Sequence, residues 1–461
     1  MEGFAARIAT APLPYDPDIG EEVAAGLGGS FASGPPRALA KGAAGSSPYL
    51  ARLLKRHGDW LAEAGERPPE DALAGLLDDI ATPRGDQKSL GSALRIAKTR
   101  AALLVALADL GGVWDLDAVT GALSDVADAA ISAALSHLLG TEVARGRLPG
   151  RSEADVPGAC GYVVLAMGKH GARELNYSSD IDLICLFDED RYADGDYGEV
   201  KARFLPLTRT LVKLLSEQTG EGYVFRTDLR LRPAPSTTPV CLGMEAAERY
   251  YEAQGRTWER AAHIKARAAA GDIAAGRAYL DRLAPFVWRK SLDFFAIEEV
   301  HGLLRKIREK KGRFTTATLP GHDVKLGPGG IREIEFLAQT RQLILGGRHP
   351  ELREPTTRGA LRALAGAGHI SEEARARLDA DYVAHRTLEH RLQMIEDAQT
   401  HVYPTSEGSR ARVAALAGAS DMAAFEAEVA ARLARVHETI EGFFELPGRK
   451  SAPDANPEED T

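Results

Sequence analysis

The sequence has few cysteines, no long apolar run and no excess of basic residues. Cys160, Cys185 and Cys241 are the only cysteines among 461 residues, and they lie far apart without a CxxC pair. This spacing excludes a disulfide framework and a cysteine-based zinc site, and it suits a reducing cytoplasm. No stretch reaches the roughly 18 apolar residues that cross a bilayer. The first residues also lack the basic start and apolar centre of a signal peptide. We therefore expect a soluble, cytoplasmic protein with no membrane partner.

The charge balance is acidic, and the composition is that of an ordinary globular protein. Lys and Arg total 57 whereas Asp and Glu total 66, which gives a net charge of −9. Nothing in this balance indicates a nucleic-acid partner, and we expect none. Hydrophobic residues make up 44% and charged residues 27% of the chain. These proportions exclude a wholly disordered or fibrous protein.

The residue pattern divides the chain into four regions. Residues 1–115 have helical periodicity, except that the first 45 or so are rich in Gly, Pro, Ala and Ser and are expected to be loosely ordered or patchily helical. Residues 116–290 contain the strand patterns. Residues 291–447 predict a second helical region, and residues 448–461 predict a disordered tail. The expected fold class is α+β and helix-dominated, with a small mixed sheet flanked by helical regions on both sides.

Three segments of the central region have strand patterns. GYVVLAMG (161–168) and IDLICLF (181–187) are short apolar runs typical of buried strands. YVFRTDLRLRP (223–233) alternates between apolar and polar residues up to Pro233, which ends the pattern. The segment RFLPLTRTLVKLLSEQ predicts a helix between the second and third strands.

Two aspartates open the second of these strands. Asp180 and Asp182 are two positions apart, so both point to one face, about 6–7 Å from each other along the strand. Paired carboxylates can hold one or two Mg²⁺ ions, which suits phosphate chemistry. A third carboxylate, Asp228, lies between Arg226 and Arg230 on the polar face of the last strand. A solvated pair and a salt-bridged Asp228 are the alternative interpretations of these residues.

A glycine-containing turn precedes the aspartate pair. Gly168 and Lys169 follow the first buried strand, where glycine lets backbone N–H groups approach a phosphate and the lysine adds a positive charge. A simple turn also explains this pair. The order of strand, glycine turn, Asp-x-Asp strand, helix and single-aspartate strand resembles the polymerase-beta-like nucleotidyltransferases. Their turn usually has Gly or Ser where Lys169 stands, so we expect this turn to contact phosphate differently.

Four longer motifs resemble the glutamine synthetase adenylyltransferase/adenylyl-removing enzyme family: GKHGARELNYSSDIDLI, FRTDLRLRP, YYEAQGRTWERAAHIKAR and KLGPGGIREIEF. Weaker similarity covers nearly the whole chain, including SPYLARLLKRHGDWL and LEHRLQMIEDAQTHVYP. That family carries two nucleotidyltransferase domains in tandem, and only one such core is present here. The motif IREIEF resembles the amino-terminal copy, which removes AMP from a tyrosine of glutamine synthetase by phosphorolysis and releases ADP. The carboxy-terminal copy attaches AMP from ATP.

The resemblance implies a set of site residues. Metal binding and catalysis fall to Asp180, Asp182 and Asp228, with two Mg²⁺ ions expected. Contacts to nucleotide or phosphate are expected from Gly168, Lys169, Ser179, Arg230, Lys265 and Arg267, and a place near the site from Glu333 and Glu335. Lys265 and Arg267 are also explained as the solvated basic face of a helix through RTWERAAHIKAR. Glu333 and Glu335 are also explained as acids that suit the dipole in the first turn of a helix.

The function that the resemblance implies is Mg²⁺-dependent removal of AMP from glutamine synthetase. The expected small-molecule substrates and products are ADP, ATP and inorganic phosphate. The PII signal protein and glutamine are the expected effectors. Two alternatives remain open, namely transfer of AMP from ATP onto glutamine synthetase, and a regulatory binding module with a vestigial site. The three retained aspartates argue against the vestigial site.

Overall fold

The chain folds into helices around one small sheet, in a computed structural model that describes residues 2–290 and 319–444. The sheet has five strands and is mixed, with helices before and after it. The expected helix-dominated α+β class is therefore confirmed. The tail expected at 448–461, and positions 291–318 and 445–447 of the expected second helical region, lie outside the described residues.

Helices precede the sheet, alternate with its strands and follow it along the chain. The helices up to the sheet are α1 (Phe4–Arg7), α2 (Pro17–Ala25), α3 (Gly34–Ser46), α4 (Pro48–Gly65), α5 (Pro69–Ala81), α6 (Gln87–Leu110) and α7 (Leu116–Ala144). The strands and the helices among them are β1 (Tyr162–Met167), α8 (Gly168–Gly171), β2 (Ile181–Phe187), α9 (Tyr197–Ser216), β3 (Thr227–Asp228), β4 (Cys241–Gly243), α10 (Met244–Gln254), α11 (Thr257–His263), β5 (Arg267–Gly271) and α12 (Ile273–Val287). The last described helices are α13 (Ile331–Leu345), α14 (Thr357–Gly366), α15 (Glu372–Met394), α16 (Glu407–Leu416) and α17 (Met422–Phe444).

The strand order places the predicted aspartates next to one another. The sheet runs β3-β2-β1-β5, and β4 pairs with the far end of β2. Strand β1 is antiparallel to β2 and β5, whereas β3 and β4 are parallel to β2. In this register Asp182 pairs with Met167 on one side and with Asp228 on the other. The glycine turn after Met167 and the third carboxylate therefore flank Asp182.

The sheet is covered on both faces, which explains the unbroken apolar runs of β1 and β2. Tyr162 and Val164 pack into a core shared with the helices that precede the sheet. Val163 and Leu165 pack on the opposite side, in a core that includes residues of α10 and α12. The strands predicted from 161–168 and 181–187 are confirmed to within one residue at each end.

Residues 2–45 contain three helices joined by short segments, which agrees with the expectation of patchy helix and not with that of loose order. They form α1 to α3, and Phe4, Phe31 and Leu39 are completely or almost completely buried. Gly42 lies so close to the preceding segment that an added Cβ would be 1.9 Å from the backbone oxygen of Pro12. This glycine allows close packing, and it does not interrupt the helix.

Two further expectations from local pattern were also wrong. The alternating segment 223–233 forms only the short strand β3, because the guanidinium of Arg232 then bonds the backbone oxygens of Leu229 and Pro235 and shapes a loop. The helix expected through RTWERAAHIKAR ends at His263, and Arg267 begins strand β5. Pairing of β5 with β1 overrides the helical preference of its alanines.

Helix α7 (Leu116–Ala144) is long and apolar enough to cross a membrane by length and composition alone. In the fold, 61% of its most apolar window is buried against other parts of the protein. Its hydrophobicity is therefore that of a core helix.

Candidate active site

Three carboxylates converge at one end of the central strands. One carboxylate oxygen from each of Asp180, Asp182 and Asp228 lies within 4.8 Å of the other two. Asp180 immediately precedes β2, Asp182 is its second residue, and Asp228 ends the parallel neighbour β3. All three are partly buried. The sequence prediction that Asp180 and Asp182 share a face is confirmed, and the strand pairing adds Asp228.

Burial and the close approach of the three carboxylates raise the pKa of Asp182. Burial raises its pKa, and the neighbouring charges of Asp180 and Asp228 raise it further, to about 7. Lys325 and Arg230 offset only part of this rise. A site that disfavours its own negative charge in this way is stabilised by a bound cation.

The other two aspartates have polar partners. Burial alone would raise the pKa of Asp228, but hydrogen bonds from the side chain and backbone of Arg230 bring it below its ordinary value. The Arg230 backbone N–H and Nε each donate to Asp228 over 2.7 Å, although the Arg230 side chain is 83% exposed. The Gln399 amide donates to Asp180 Oδ1 over 3.0 Å. Arg230 is therefore a hydrogen-bond and ion-pair partner of Asp228.

Gly168 holds the chain against Asp182. It has a φ of +56°, in the left-handed region, and a Cβ at this position would lie 2.9 Å from Asp182 Oδ2. Both the backbone conformation and the space therefore favour glycine. The following residues, through Gly171, form a single helical turn. The glycine turn predicted from the sequence thus lies directly beside the carboxylates.

Lys169 does not point freely into solution. Its Nζ lies 2.9 Å from Oε1 and 3.0 Å from Oε2 of Glu389, which is completely buried on helix α15. Burial lowers the pKa of Lys169 to about 7, and Glu389 opposes that shift. Glu389 itself remains ionised, because Lys169, His401 and Arg386 together outweigh its burial and hold its pKa well below the ordinary value.

Lys265 and Glu335 belong to a second buried ion cluster at the same site. Lys265 Nζ donates to Glu174 Oε2 over 2.6 Å and to Thr357 Oγ1 over 3.2 Å, and it lies 4.0 Å from Glu335. Burial alone would raise the pKa of Glu335, but Lys265 and Arg332 are the main groups that lower it to about 2. Both residues line the cleft described next.

A cleft of about 520 Å³ opens beside the carboxylates. Its polar lining combines the acidic side chains with the cations Lys169, Lys265, Lys325 and Arg332. The remaining lining is apolar or neutral and includes Leu231, Trp258, Ala261, Phe336, Gly168, Ser179 and Gln339. This volume and mixture are those of a small-molecule site.

Two of the residues expected at the site lie elsewhere. Arg267 binds Asp128 through two bonds of 2.7 and 3.0 Å, and it also donates to the backbone oxygens of His170 and Gly171. Arg267 therefore stabilises the backbone of the glycine turn. Glu333 accepts from the Gly329 backbone N–H over 3.0 Å and contacts His437. Neither Arg267 nor Glu333 lines the cleft.

The donor set fits a hard divalent cation. Carboxylate oxygens are the ligands that Mg²⁺ prefers, and three of them are grouped within reach of one ion. The pKa of Asp182 is raised because of burial and because the like charges that meet here are only partly compensated by Lys325 and Arg230. The site residues are thus compatible with a metal centre.

Paired aspartates on a central strand, a third on its parallel neighbour and a glycine turn beside a cleft with four cations form a nucleotidyltransferase-like core. The model of the family described as glutamate-ammonia ligase adenylyltransferase matches residues 39–282, and the chain belongs to this family. Residues 299–444 match a second model, described as GlnD PII-uridylyltransferase.

Curated relatives carry the name bifunctional glutamine synthetase adenylyltransferase/adenylyl-removing enzyme. The protein of Xanthobacter autotrophicus is 48% identical over 411 residues, covering 89% of this chain and 42% of the relative. That of Caulobacter vibrioides is 48% identical over 394 residues, covering 85% and 40%. One from Rhodopseudomonas palustris is 43% identical over 462 residues, covering 96% and 46%. The chain thus spans less than half the length of these relatives.

Several residues that line the cleft, or that bind a lining residue as Glu389 binds Lys169, were not predicted from the sequence. Glu389, Gln399 and His401 come from the segment around the end of α15, more than 200 positions after the glycine turn. Lys325 and Arg332 lie in the KLGPGGIREIEF motif without a local pattern that marks them as site residues. The similarity of LEHRLQMIEDAQTHVYP to the family was the one available signal for the first group.

Proposed function

We propose that this chain removes AMP from an adenylylated tyrosine of glutamine synthetase by Mg²⁺-dependent phosphorolysis and releases ADP. The observation that carries the proposal is the group of Asp180, Asp182 and Asp228 at the mouth of a cationic cleft. The names of the curated relatives supply the protein substrate and include the adenylyl-removing activity. The chain covers less than half of those relatives, so the assignment of this activity to the present half rests on its motifs.

In this proposal the three aspartates would hold Mg²⁺, in a pair of ions as expected from the family resemblance. Bound Mg²⁺ would neutralise charge on the phosphate groups and orient them for in-line displacement. Gly168 leaves the backbone free to approach a phosphate oxygen, since any side chain there would meet Asp182. Ser179 and Lys169 are adjacent polar groups in the lining.

The rest of the cleft suits the nucleoside and the attacking phosphate. Trp258, Phe336 and Leu231 offer apolar surface of the kind that binds a purine ring. Lys325 and Arg332 offer positive charge that attracts inorganic phosphate and the developing charge of the transition state. The two kinds of surface lie in one cleft, as a nucleotide requires.

The proposed reaction balances without a general base. An oxygen of hydrogen phosphate forms a bond to the α-phosphorus, and the bond from that phosphorus to the tyrosine oxygen breaks. The proton of hydrogen phosphate ends on the tyrosine oxygen, so the products are ADP and unmodified tyrosine. Phosphate is already an anionic nucleophile at neutral pH, so none of the chain's side chains has to remove a proton.

The proposal also specifies the direction of transfer, which is removal of AMP and not its attachment. It is supported by IREIEF, which resembles the adenylyl-removing copy of the family. Glu335 of this motif lines the cleft and is held ionised by Lys265 and Arg332. In the family that this chain resembles, the carboxy-terminal copy has a hydrophobic-plus-aspartate version of this motif.

The test is to incubate adenylylated glutamine synthetase with this chain and Mg²⁺, with and without inorganic phosphate, and to separate the nucleotides. ADP that appears only with phosphate supports the proposal. AMP released without phosphate would replace it with a hydrolase. Labelling of unmodified synthetase from ATP would favour the transferase, and no reaction in either direction would favour a binding module. The Asp182→Asn variant is the matched inactive control.

We also propose that the PII signal protein and glutamine regulate this activity. The family resemblance supports both effectors, and the match of residues 299–444 to a model described as GlnD PII-uridylyltransferase points to the same regulatory system. Rates of AMP removal with PII, with glutamine and with neither would test this. Equal rates in all three conditions would remove the effectors from the proposal.

A further inference from the structure

A second cleft lies between helices α4 and α6 and the segment that leads into β3. Its volume is about 590 Å³, and it shares no lining residue with the cleft that holds the carboxylates. Helix α4 contributes Tyr49, Arg52 and Arg56, and helix α6 contributes Lys98. The remaining lining comes from residues 218–223, Arg226, Glu396 and Asp397, with Leu53 and Thr99 from the helices.

Four cations line this second cleft, and three of them lack an acidic partner. Among the described residues, no carboxylate oxygen lies within the 4.0 Å ion-pair distance of the guanidinium groups of Arg52, Arg56 or Arg226. Lys98 has a long ion pair, with Nζ 3.5 Å from Asp397 Oδ2. Cations left without acidic partners around a concavity attract an anion.

Three carboxylates, Glu221, Glu396 and Asp397, also line the cleft, so the formal net charge of its lining is +1. Glu221 accepts a hydrogen bond from Ser92 over 2.8 Å, and Asp397 accepts one from the Tyr223 hydroxyl over 3.0 Å. Glu396 is exposed. Two of the three carboxylates are therefore engaged with protein donors and fixed in place.

Two of the four cations are held rigidly. Lys98 is only 6% exposed, and its Nζ lies 4.5 Å from the centre of the Tyr223 ring. The Arg226 guanidinium lies 5.0 Å from the same ring centre and donates to the Tyr223 hydroxyl over 2.8 Å. Cations held in this way lose little side-chain freedom when they bind a ligand. The exposed Arg52 and Arg56 complete the set from helix α4.

We propose that this second cleft binds a small anion that carries carboxylate or phosphate groups. The proposal goes beyond AMP removal and does not depend on the direction of transfer. Its position gives it a route to the active site. Arg226 also donates to the backbone oxygen and hydroxyl of Ser178, two residues before Asp180, and it lies two residues before Asp228. An anion bound to Arg226 would therefore contact the segment that carries Asp228. Arg226 in turn is hydrogen-bonded to the segment that carries Asp180.

The test is isothermal titration calorimetry of the full chain without Mg²⁺ and at constant ionic strength. Sodium succinate and inorganic phosphate are titrated separately, and sodium chloride serves as the blank. We expect saturable binding that weakens by about tenfold or more when charge-assisted hydrogen bonds are removed. The variants are Arg52→Gln/Arg56→Gln, which changes only exposed side chains, and Lys98→Met. The matched control is Lys213→Met, at an exposed lysine outside the cleft.

The variants also separate the two clefts. Lys325→Met removes a cation from the active-site cleft. It should weaken any phosphate binding in that cleft and leave the affinity of the second cleft for succinate unchanged. Binding of both succinate and phosphate would indicate that the cleft recognises negative charge alone. Binding of only one of them would assign the ligand to the carboxylates or to the phosphates, respectively. No saturable binding, or binding lost in Lys325→Met but kept in Arg52→Gln/Arg56→Gln, would overturn the proposal. Because the measurement needs neither Mg²⁺ nor glutamine synthetase, its outcome is independent of whether AMP removal is found.

Discussion

Lys169 and Glu389, 220 positions apart, form a two-pronged ion pair in which the lysine Nζ is 2.9 and 3.0 Å from the two carboxylate oxygens. The pair joins the glycine turn beside the aspartates to helix α15. Glu389 also lies 3.3 Å from Arg386 Nε and 2.9 Å from His401 Nδ1. One buried carboxylate therefore organises three cationic or basic groups behind the active site.

We predict that Glu389→Gln destabilises the protein far more than Lys169→Met. Loss of the carboxylate leaves two buried cations without an ionised partner, which costs about 3–5 kcal/mol of the free energy of unfolding. Lys169→Met leaves Glu389 paired with Arg386, so its cost is smaller. Urea unfolding of the two single variants and the double variant measures the coupling between the two side chains.

The matched control for this prediction lies on the same helix. Glu373→Gln removes an exposed carboxylate that pairs with Arg377 over 3.0 Å, and exposed pairs contribute about 1 kcal/mol at most. Equal effects of Glu373→Gln and Glu389→Gln would contradict a special role for the buried pair.

Asp182→Asn should reduce AMP removal by at least about two orders of magnitude, because the residue is the central carboxylate of the metal site. The free energy of unfolding of the metal-free protein should stay the same or rise, since the change removes a buried charge that its neighbours disfavour. Turnover and urea unfolding of one sample check both parts. Asp190→Asn, at an exposed aspartate, is the control. Normal turnover with normal Mg²⁺ dependence in Asp182→Asn would remove the metal assignment.

Two variants, Asp228→Asn and Arg230→Ala, distinguish the two possible roles of Asp228, as a metal ligand or as a salt-bridge partner of Arg230. If Asp228 holds metal, its replacement abolishes turnover, whereas loss of the exposed Arg230 side chain leaves most of it. The melting temperature should change little in both variants, because an ion pair with so exposed a partner contributes about 1 kcal/mol at most. Similar modest losses of turnover in the two variants would favour the salt bridge as the role of Asp228.

The stability of the protein should fall on mild acidification because of buried histidines. Burial lowers the pKa of His57 and His263 to about 4 and that of His385 to about 3. An unfolded histidine titrates near pH 6.5, so below this pH the unfolded chain takes up protons that the folded chain excludes. Their stabilising contribution is complete above about pH 6.5 and is lost as the pH falls towards 4. Each histidine accounts for about 1.4 kcal/mol per pH unit within this window.

Urea unfolding between pH 7.5 and 5 without Mg²⁺ measures this dependence. His57→Gln should reduce the slope of the unfolding free energy against pH by about 1.4 kcal/mol per pH unit, the contribution of one histidine. Asp182 acts with the opposite sign, because its raised pKa gives a contribution that is present at low pH and lost as the pH rises towards 7. Asp182→Asn should therefore make the fall on acidification steeper. A slope that neither variant changes would show that other groups control the acid sensitivity.

The parts of the site that were predictable from sequence are those fixed by local spacing. Asp180 and Asp182 share a face because of the two-residue period of a strand, and Gly168 is marked by its place after a buried strand. The pairing of Asp228 with Asp182 required knowledge of which strands are neighbours. No local sequence pattern marks Glu389 as a site residue, because its partner Lys169 is distant in sequence and meets it only in the folded protein.

The errors in the fold have the same physical origin. Alanine-rich β5 has the local preference of a helix, and its strand conformation comes from pairing with β1. The Gly- and Pro-rich composition of the first 45 residues predicted loose order or patchy helix. Gly42 is instead the site of a close contact with the Pro12 backbone. Such contacts depend on residues distant in sequence and have no signature in the segment itself.

The two matched segments meet in sequence near residue 290, but hydrogen bonds between described residues on either side of that point connect them. Asp109 accepts from Arg391 over 2.8 Å, the backbone N–H of Ser178 donates to Gln393 over 3.1 Å, and Ser47 donates to the Met394 backbone oxygen over 2.6 Å. A fragment that ends at residue 290 would leave these groups and Lys169 exposed to water or unsatisfied. The matched segments are therefore one indivisible unit for expression and truncation, and the end of the first family match is a poor place to cut the gene.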